Sequence, residues 1–197
     1  MKRRRYSFFD IIKHVIWLIR TKLISINLKL ICFPTDIRGR KNIDWGKNVS
    51  IGVGCRLEAF QNDFRKHTLI FGYGVQLNDY VHIVSMESVQ IGNNVLMASH
   101  IFISDNSHGS YVGDSNDSSP LIPPMERNYP TNPISIGDNT WICEGVMIMP
   151  GAKIGKGCII GAHSIVRGMI PDYSIAVGNP AKVVKKFNFK TNLWERI

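Results

Sequence analysis

The sequence predicts an all-β domain, a parallel β-helix built from six-residue repeats. Branched aliphatic residues stand at every sixth position, namely Ile136, Ile142, Ile148, Ile154, Ile160 and Val166. Four residues after each of the first five comes a small or β-branched residue: Thr140, Val146, Ala152, Cys158 and Ser164. A period of six fits neither an α-helix, with about 3.6 residues per turn, nor an ordinary strand, with a period of about 2. It fits a chain that turns a corner every six residues, so that three turns make a triangular coil and stacked coils bury an aliphatic column.

The same frame extends backwards through the chain. Six-residue steps recur in three earlier groups: Ile91, Met97 and Ile103; Phe71, Leu77 and Ile83; Ile51 and Leu57. Steps of eight separate Ile83 from Ile91 and Ile43 from Ile51, which predicts a two-residue bulge at one corner, and the coils are expected to begin near Ile37. Residues 60–68 form a small charged insertion. Residues 104–132, rich in Pro, Asn, Ser, Asp and Gly, form a protruding loop of a length that is usually functional.

Length and composition are those of one domain with a sizeable core, since 44% of the 197 residues are apolar. We expect a basic N-terminal segment at 1–34, the β-helix domain at 35–188 and a C-terminal tail at 189–197. The four cysteines have no spacing typical of a zinc site or a redox pair. They are predicted to be small hydrophobic residues in a reducing cytoplasm.

Positive charge is concentrated at the N-terminus. Of a net charge of +9, the first 41 residues carry eleven basic residues against two acidic ones. Six apolar residues in this segment have helical spacing: Phe8, Ile12, Val15, Ile16, Ile19 and Leu23. The spacing predicts an amphipathic helix from Ser7 to about Leu23.

Two roles for this helix stay open on the sequence alone. It could cap the open end of the β-helix or pack in an oligomer. It could instead lie on an anionic membrane surface at the inner face of the membrane, attracted by Arg3, Arg4 and Arg5. Asp10 and Lys13 interrupt the apolar run too early for a membrane span, and no base-reading module accompanies the basic run, which argues against a nucleic-acid partner.

A second basic cluster lies near the C-terminus. Seven cations are accompanied by one acid, Asp172, between residues 153 and 190: Lys153, Lys156, Arg167, Lys182, Lys185, Lys186 and Lys190. A positive surface of this kind suits a phosphorylated ligand, although a merely solvated edge would have a similar composition.

Several motifs resemble one family. Residues 132–185, with I-G-D-N-T-W-I and G-N-P-A-K, closely resemble the hexapeptide-repeat acyltransferases, which include maltose and galactoside O-acetyltransferases. D-N-S-H-G at 105–109, N-D-Y-V-H-I at 78–83 and the basic N-terminus are most similar to bacterial O-antigen and capsule sugar O-acetyltransferases. The resemblance covers about residues 35–188. It implies a left-handed coil, acetyl-CoA as co-substrate, a sugar or glycan acceptor, and a homotrimer with its sites between subunits. The hand comes from the resemblance alone, because parallel crossovers are usually right-handed.

Transfer of an acetyl group to a hydroxyl needs a base for the hydroxyl proton and donors for the oxyanion that forms. The resemblance identifies His108, at the start of the long loop, as that base. Asp105 is expected to accept a hydrogen bond from the far ring nitrogen, or alternatively to cap a turn at the loop entrance. Asn78 matches a family asparagine that contacts the acceptor and helps to hold the oxyanion or the sugar.

The resemblance also implies a coenzyme A site. Trp141 is expected to form an apolar wall for the pantetheine arm, and Glu144 and Ala162 match positions whose backbone contacts it. Arg167 and Gly168 occupy the following turn. Lys182 and Lys185 match the basic pair at the phosphates, where lysine supplies a point charge and not a forked contact. Glu144 replaces a small polar residue, and a contact with His108 is the alternative for it.

We therefore expect an acetyl-CoA-dependent O-acetyltransferase that acts on a sugar hydroxyl of a surface polysaccharide precursor in O-antigen, capsule or exopolysaccharide synthesis. The alternative within enzymes is acetylation of a small free sugar or an antibiotic. A non-catalytic β-helix scaffold is the alternative outside enzymes. A zinc carbonic anhydrase is disfavoured because no H-x-x-x-x-H pair occurs, so no metal site is expected.

Overall fold

The structure, a computed structural model, describes residues 7–197. One helix, α1 (Phe8–Ile24), precedes short strands, numbered in chain order, that form three sheets. Sheet A contains β1 (Leu30–Ile31), β4 (Ser50–Ile51), β7 (Gln76–Leu77), β10 (Leu96–Met97), β13 (Trp141–Ile142), β16 (Ile159–Ile160), β19 (Ser174–Val177), β20 (Lys182–Asn188) and β21 (Leu193–Arg196). Sheet B contains β2 (Asp36–Arg38), β5 (Arg56–Ala59), β8 (His82–Ser85), β11 (Phe102–Ser104), β14 (Met147–Ile148) and β17 (Ile165–Val166). Sheet C contains β3 (Ile43–Asp44), β6 (Leu69–Phe71), β9 (Val89–Ile91), β12 (Ile134–Ile136), β15 (Lys153–Ile154) and β18 (Met169–Ile170).

The six-residue period produces the core. Successive coils pair in parallel so that repeat residues align, as Ile91 does with Ile136 and Ile136 with Ile154. The six aliphatic residues at positions 136 to 166 are each at most 3% exposed. Burial of such a side chain contributes about 1.5–3 kcal/mol, so the column is the main stabilising element of the fold.

The domain limits differ from those expected. Sheet A already begins at Leu30, which pairs with Ser50. As the first strand of the sheet, β1 needs a pairing partner on one side only. At the other end, Trp194 and its neighbours pair with β20 as an antiparallel strand and are not a separate tail. The β-helix sheet therefore includes residues on both sides of the 35–188 range.

Extra residues accumulate at one corner, between sheets B and C. Residues 60–68 separate β5 from β6, residues 86–88 separate β8 from β9, and the long loop separates β11 from β12. The step of eight from Ile83 to Ile91 is thus a corner bulge, as predicted. The step from Ile43 to Ile51 has another cause. Trp45, which directly follows β3, lies in the core and stacks on Phe71 with ring centroids 6.1 Å apart, so the six-residue step runs from Trp45 to Ile51.

Helix α1 begins after the cap residue Ser7, whose side chain accepts from the Asp10 N–H while the Asp10 side chain accepts from the Ser7 N–H. It contacts the β-helix through Trp17 and Thr21, both buried. The Thr21 hydroxyl oxygen accepts from the Ile31 N–H at 2.8 Å.

The six apolar residues with helical spacing at positions 8 to 23 are 41% to 75% exposed, so α1 covers the first coil through Trp17 and Thr21 while most of its apolar face stays uncovered. Whether that face packs in an oligomer or lies on a membrane stays a prediction. Within residues 7–197, no helix is long and apolar enough to cross a membrane.

Candidate active site

A pocket of about 590 Å³ lies on the outer face of sheet B, beside the corner shared with sheet C. Its floor is formed by strand residues, including Glu58, His82 and Phe102. Its walls come from the extra segments at that corner, which supply Phe60, Met86, His108, Met125 and Tyr129. The pocket exists because three successive coils place their additional residues on the same side.

His108 is exposed at this pocket, and its ring is oriented by the long loop. Its Nδ1 lies 3.3 Å from the carbonyl oxygen of Pro124, and its ring meets the edge of Tyr129 at 4.7 Å between centroids. A carbonyl oxygen only accepts, so Nδ1 carries the hydrogen in the neutral ring and Nε2 carries the lone pair. Nε2 has no hydrogen-bond partner among the described residues, which is the arrangement that a general base requires.

The backbone of His108 is held by two further side chains. The Tyr111 hydroxyl donates to the carbonyl oxygen of His108 at 2.6 Å, and Arg127 Nη1 donates to the Tyr111 hydroxyl at 2.6 Å. The base of the loop is closed by backbone bonds, such as that from the Gly109 N–H to Asn128 at 2.9 Å. The loop is therefore a folded unit that fixes its histidine.

Asp105 does not orient His108. It is fully buried, and its carboxylate accepts from the backbone N–H groups of Met86, Glu87 and Ser88 at 2.8–3.2 Å. Burial raises the pKa of Asp105, although these donors act in the opposite direction. The expected hydrogen bond to His108 is wrong, because the carboxylate points to the neighbouring coil and caps the corner turn at residues 86–88 there, and not a turn at the loop entrance.

Asn78 lies away from His108 within one chain, at the corner between sheets A and B. Its side-chain oxygen accepts from Gln76 Nε2 at 3.1 Å. It lines a separate cleft of about 460 Å³, together with Leu30, Ser50 and Ser99. The two predicted catalytic groups can therefore meet only if a second subunit supplies one of them.

A straight row of outward side chains runs along sheet A, here called the outer column. In register order it consists of Leu30, Ser50, Gln76, Leu96, Trp141, Ile159, Ile175 and Lys185. Trp141 is 46% exposed and is three strands from Lys185, a span of about 14 Å at the usual spacing of about 4.8 Å. An apolar strip that ends in lysines fits a long arm with phosphates at one end.

The remaining predicted ligand-binding residues fall into two groups. Ala162 and Glu144 occupy the corner between sheets A and B, and Lys182 begins β20 opposite Val177. The Glu144 carboxylate accepts from the Ser99 N–H at 2.9 Å, so its alternative contact with His108 is wrong in the single chain. Arg167 and Gly168 lie at the corner between sheets B and C, where Gly168 has a φ of +75° that favours glycine.

A charged cluster in the His108 pocket was missed by the sequence reasoning. Glu58 Oε1 lies 3.0 Å from His82 Nε2 and 2.8 Å from Arg56 Nε, and Glu58 Oε2 lies 3.1 Å from Arg38 Nη1. Burial would raise the pKa of Glu58, but the hydrogen bond from His82 and the ion pair with Arg56 outweigh it and hold the pKa below its usual value. The sequence could have indicated this cluster only through the pairing of Arg56 with His82 on adjacent coils, and that pairing can be read only once the strand register is known.

Comparison with known proteins identifies the family. The sequence profile described as "Bacterial transferase hexapeptide (six repeats)" matches residues 133–168. A putative lipopolysaccharide biosynthesis O-acetyl transferase, WbbJ of Escherichia coli strain K12, is 42% identical over 193 residues, which cover 98% of this chain and 96% of the relative. The chain belongs to the hexapeptide-repeat transferases.

A further relative and two solved structures are also similar to this chain. A galactoside O-acetyltransferase of Lactococcus lactis is 30% identical over 72% of this chain and 66% of its own length. A galactoside acetyltransferase solved in complex with coenzyme A superposes with a TM-score of 0.60 at 26% identity, over 87% of this chain and 71% of that one. AntD, an N-acyltransferase of Bacillus cereus, shares the fold with a TM-score of 0.61 at 23% identity, over 87% and 91%.

This hexapeptide-repeat transferase is thus a left-handed parallel β-helix, as the sequence resemblance implied. It is an O-acetyltransferase whose co-substrate is acetyl-CoA. The outer column fits that co-substrate, since its apolar strip leads to Lys185. Among the described residues, no group of three histidines, cysteines or carboxylates could hold a metal ion.

Proposed function

We propose that this enzyme transfers the acetyl group of acetyl-CoA to a sugar hydroxyl of a surface polysaccharide precursor. The observation that carries the proposal is the open Nε2 of His108 in a pocket large enough for a sugar ring, with Nδ1 bound to the Pro124 carbonyl. The name of the Escherichia coli relative, which matches almost the whole chain, supports the polysaccharide acceptor.

In the proposed mechanism, Nε2 of His108 removes the hydroxyl proton as the hydroxyl oxygen attacks the thioester carbonyl. The new C–O bond produces a tetrahedral oxyanion, which the Asn78 amide stabilises as a donor. The C–S bond then breaks, and the leaving thiolate takes the proton from Nε2. The Pro124 carbonyl accepts from Nδ1–H throughout and so stabilises the imidazolium.

The catalytic unit in this proposal is a homotrimer with three equivalent sites. His108, Arg167 and Gly168 lie on the segments between sheets B and C, whereas Trp141 belongs to sheet A and Asn78 lies at the corner between sheets A and B. A site that uses both groups needs two copies of the chain, and a closed cyclic assembly provides each copy with the same contact.

Mixed trimers test this assembly. His108→Ala and Asn78→Ala chains should each be inactive alone. Co-expressed, they should recover about a quarter of wild-type activity, because one contact in four combines an intact histidine with an intact asparagine. Activity that stays absent in verified mixed trimers, or a fully active monomer in sedimentation, would contradict the shared site.

The proposal also places the enzyme in the cytoplasm, bound peripherally at the inner face of the membrane, with no nucleic-acid partner. Support comes from α1, which carries nine exposed large apolar side chains: Phe8, Phe9, Ile11, Ile12, Val15, Ile16, Leu18, Ile19 and Leu23. Lys13 and Arg20 lie on the same helix. Arg3, Arg4 and Arg5 precede it and lie outside the described residues.

The catalytic assignment is tested by His108→Ala, which should lower kcat by about 10²–10⁴-fold while binding of coenzyme A is retained. Lys182→Ala should instead raise KM for acetyl-CoA more than it lowers kcat, because it removes a phosphate contact. His67→Ala, outside the pocket, is the control. A folded, trimeric His108→Ala protein with a near wild-type rate would place the base elsewhere, first at His82.

A further inference from the structure

A second apolar groove lies where α1 crosses the first coil. It has a volume of about 380 Å³ and is lined by Ile11, His14, Val15 and Leu18 of α1 and by Leu30 of β1. Val15 and Leu18 are about half exposed, at 52% and 47%, so the groove is open to solvent in the single chain. It shares no lining residue with the His108 pocket and lies at the opposite end of the outer column from Lys185.

Among residues 7–197, no Asp, Glu, Lys or Arg side chain lines the groove. His14 Nδ1 already lies 2.6 Å from the carbonyl oxygen of Asp10. Lys22, which follows the groove residues on the helix, folds back and donates to the carbonyl oxygens of Ile26 and Leu28. The polar groups next to the groove are thus engaged within the chain, and an apolar chain fits the remaining surface better than a headgroup or a peptide does.

The groove adjoins the cleft of Asn78, and the two share one lining residue. Leu30 lines both, with the groove on its α1 side and the cleft of about 460 Å³ on the other. Along the outer column, Leu30 is two strands from Gln76, about 10 Å at the usual spacing. Lys185 lies at the opposite end of the same column. A sugar beside Asn78 would therefore have acetyl-CoA on one side and the groove on the other.

We propose that the groove between α1 and β1 binds a hydrocarbon chain attached to the acceptor sugar. The acceptor is then an amphiphile presented from a lipid surface and not a free sugar. This inference rests on the proposed function, because it uses Asn78 as the acceptor-side residue, and it adds the chemical class of the group next to that sugar.

Alkyl glucosides test the groove without acetyl-CoA. Hexyl, heptyl and octyl β-glucoside are titrated into the full-length protein below their micelle-forming concentrations, and Kd is measured by calorimetry. Kd should fall about fourfold for each added methylene, as expected for a chain that enters an apolar site. Leu18→Asn should weaken octyl glucoside binding by about tenfold.

Ile19→Asn is the matched control, since Ile19 is the next residue, has the same composition and is 58% exposed, but does not line the groove. It should bind all three glucosides as the wild type does. Equal losses in both variants would show adsorption to the apolar helix in general and would overturn the proposal. A Kd independent of chain length would also overturn it.

A second copy of the chain is the competing occupant of the groove. In that case Leu18→Asn should change the sedimentation coefficient, and no alkyl glucoside should bind better than glucose, which would again overturn the proposal. Because these titrations involve no acetyl transfer, their outcome is independent of the His108→Ala result, and each proposal can fail alone.

Discussion

The β-helix buries its apolar side chains in the core, whereas helix α1 exposes most of its apolar side chains to solvent. In the coils, repeat residues such as Ile148 and Ile160 are fully buried. In α1, residues of the same kind, such as Ile12 and Ile19, are 41% and 58% exposed, while Thr21 faces the body and is fully buried. The difference shows that the spacing of apolar residues predicts which side chains share a face, but does not predict what that face packs against. In the coils the partner is the next coil, whereas in α1 most of the apolar face has no partner among the described residues.

The largest expected difference between the two regions is in stability. Ile148→Ala should lower the free energy of unfolding by about 2–5 kcal/mol, because it leaves a cavity between stacked coils. Ile19→Ala, the same substitution on α1, should change it by less than about 0.5 kcal/mol. Denaturant unfolding measures both. Similar losses in the two variants would refute the contrast.

The ion pairs of Glu58 on the outer face of sheet B test whether the buried apolar column is the only source of stability in the β-helix. Glu58→Gln should cost about 1.5–3 kcal/mol at neutral pH, since it removes the charged partner of Arg38, Arg56 and His82. Because the folded pKa of Glu58 is lowered, its contribution is present above its ordinary pKa of 4.5 and is lost as the pH falls through the folded value.

Unfolding of the Glu58→Gln variant from pH 7 to pH 3 follows this effect. The difference from wild type should be largest at pH 7 and should disappear in acid. Glu126→Gln, at an exposed loop position, is the control. A difference that stays constant across the range would mean that Glu58 acts through packing and not through its charge.

The attachment of α1 is the next target. Thr21→Val keeps the shape of the side chain but leaves the Ile31 N–H without its acceptor, at a cost of about 1–3 kcal/mol. Hydrogen exchange at the Ile31 amide and along α1 should accelerate, while exchange in the coils should not. Thr21→Ser should restore protection. If Thr21→Val exchanges at the wild-type rate, the Thr21–Ile31 hydrogen bond does not hold the helix, and its apolar and cation–π contacts, such as that of Arg20 with Phe33, do.

The smallest expected effect concerns the exposed face itself. Ile16→Asn should weaken binding to vesicles of anionic phospholipid by about three- to tenfold, because a half-exposed side chain can lose only part of its remaining area to lipid. Binding should also weaken as salt rises, since the Debye length falls to about 8 Å at 0.15 M. Equal binding to neutral and anionic vesicles at every salt concentration would contradict the membrane proposal.

The sequence predicted the coils well because the six-residue step is local and repeated. It failed at the ends, where Leu30 and Trp194 lie in strands whose only signal is a neighbouring strand far along the chain. For α1 it defined the apolar face but not the residues that contact the body, because that contact includes a hydrogen bond between Thr21 and Ile31.

In the candidate site, too, local features could be predicted from the sequence and contacts between distant segments could not. His108 could be selected from its place in the loop and the family motif, but its partner could not. The loop returns after sixteen residues to bring Pro124 to the ring, while Asp105, only three residues away, turns to the adjacent coil. The Glu58–His82 pair depends on a register that the insertion at 60–68 conceals from a simple count of residues. Whether these groups act in catalysis stays a prediction.

The confinement of all extra residues to the corner between sheets B and C separates two kinds of variation. Segments 60–68 and 86–88 and the long loop can change in length without moving any strand of the outer column on sheet A, because each coil re-enters its register at sheet C. Selectivity for the acceptor can therefore change through these segments while the surface that fits acetyl-CoA keeps its dimensions.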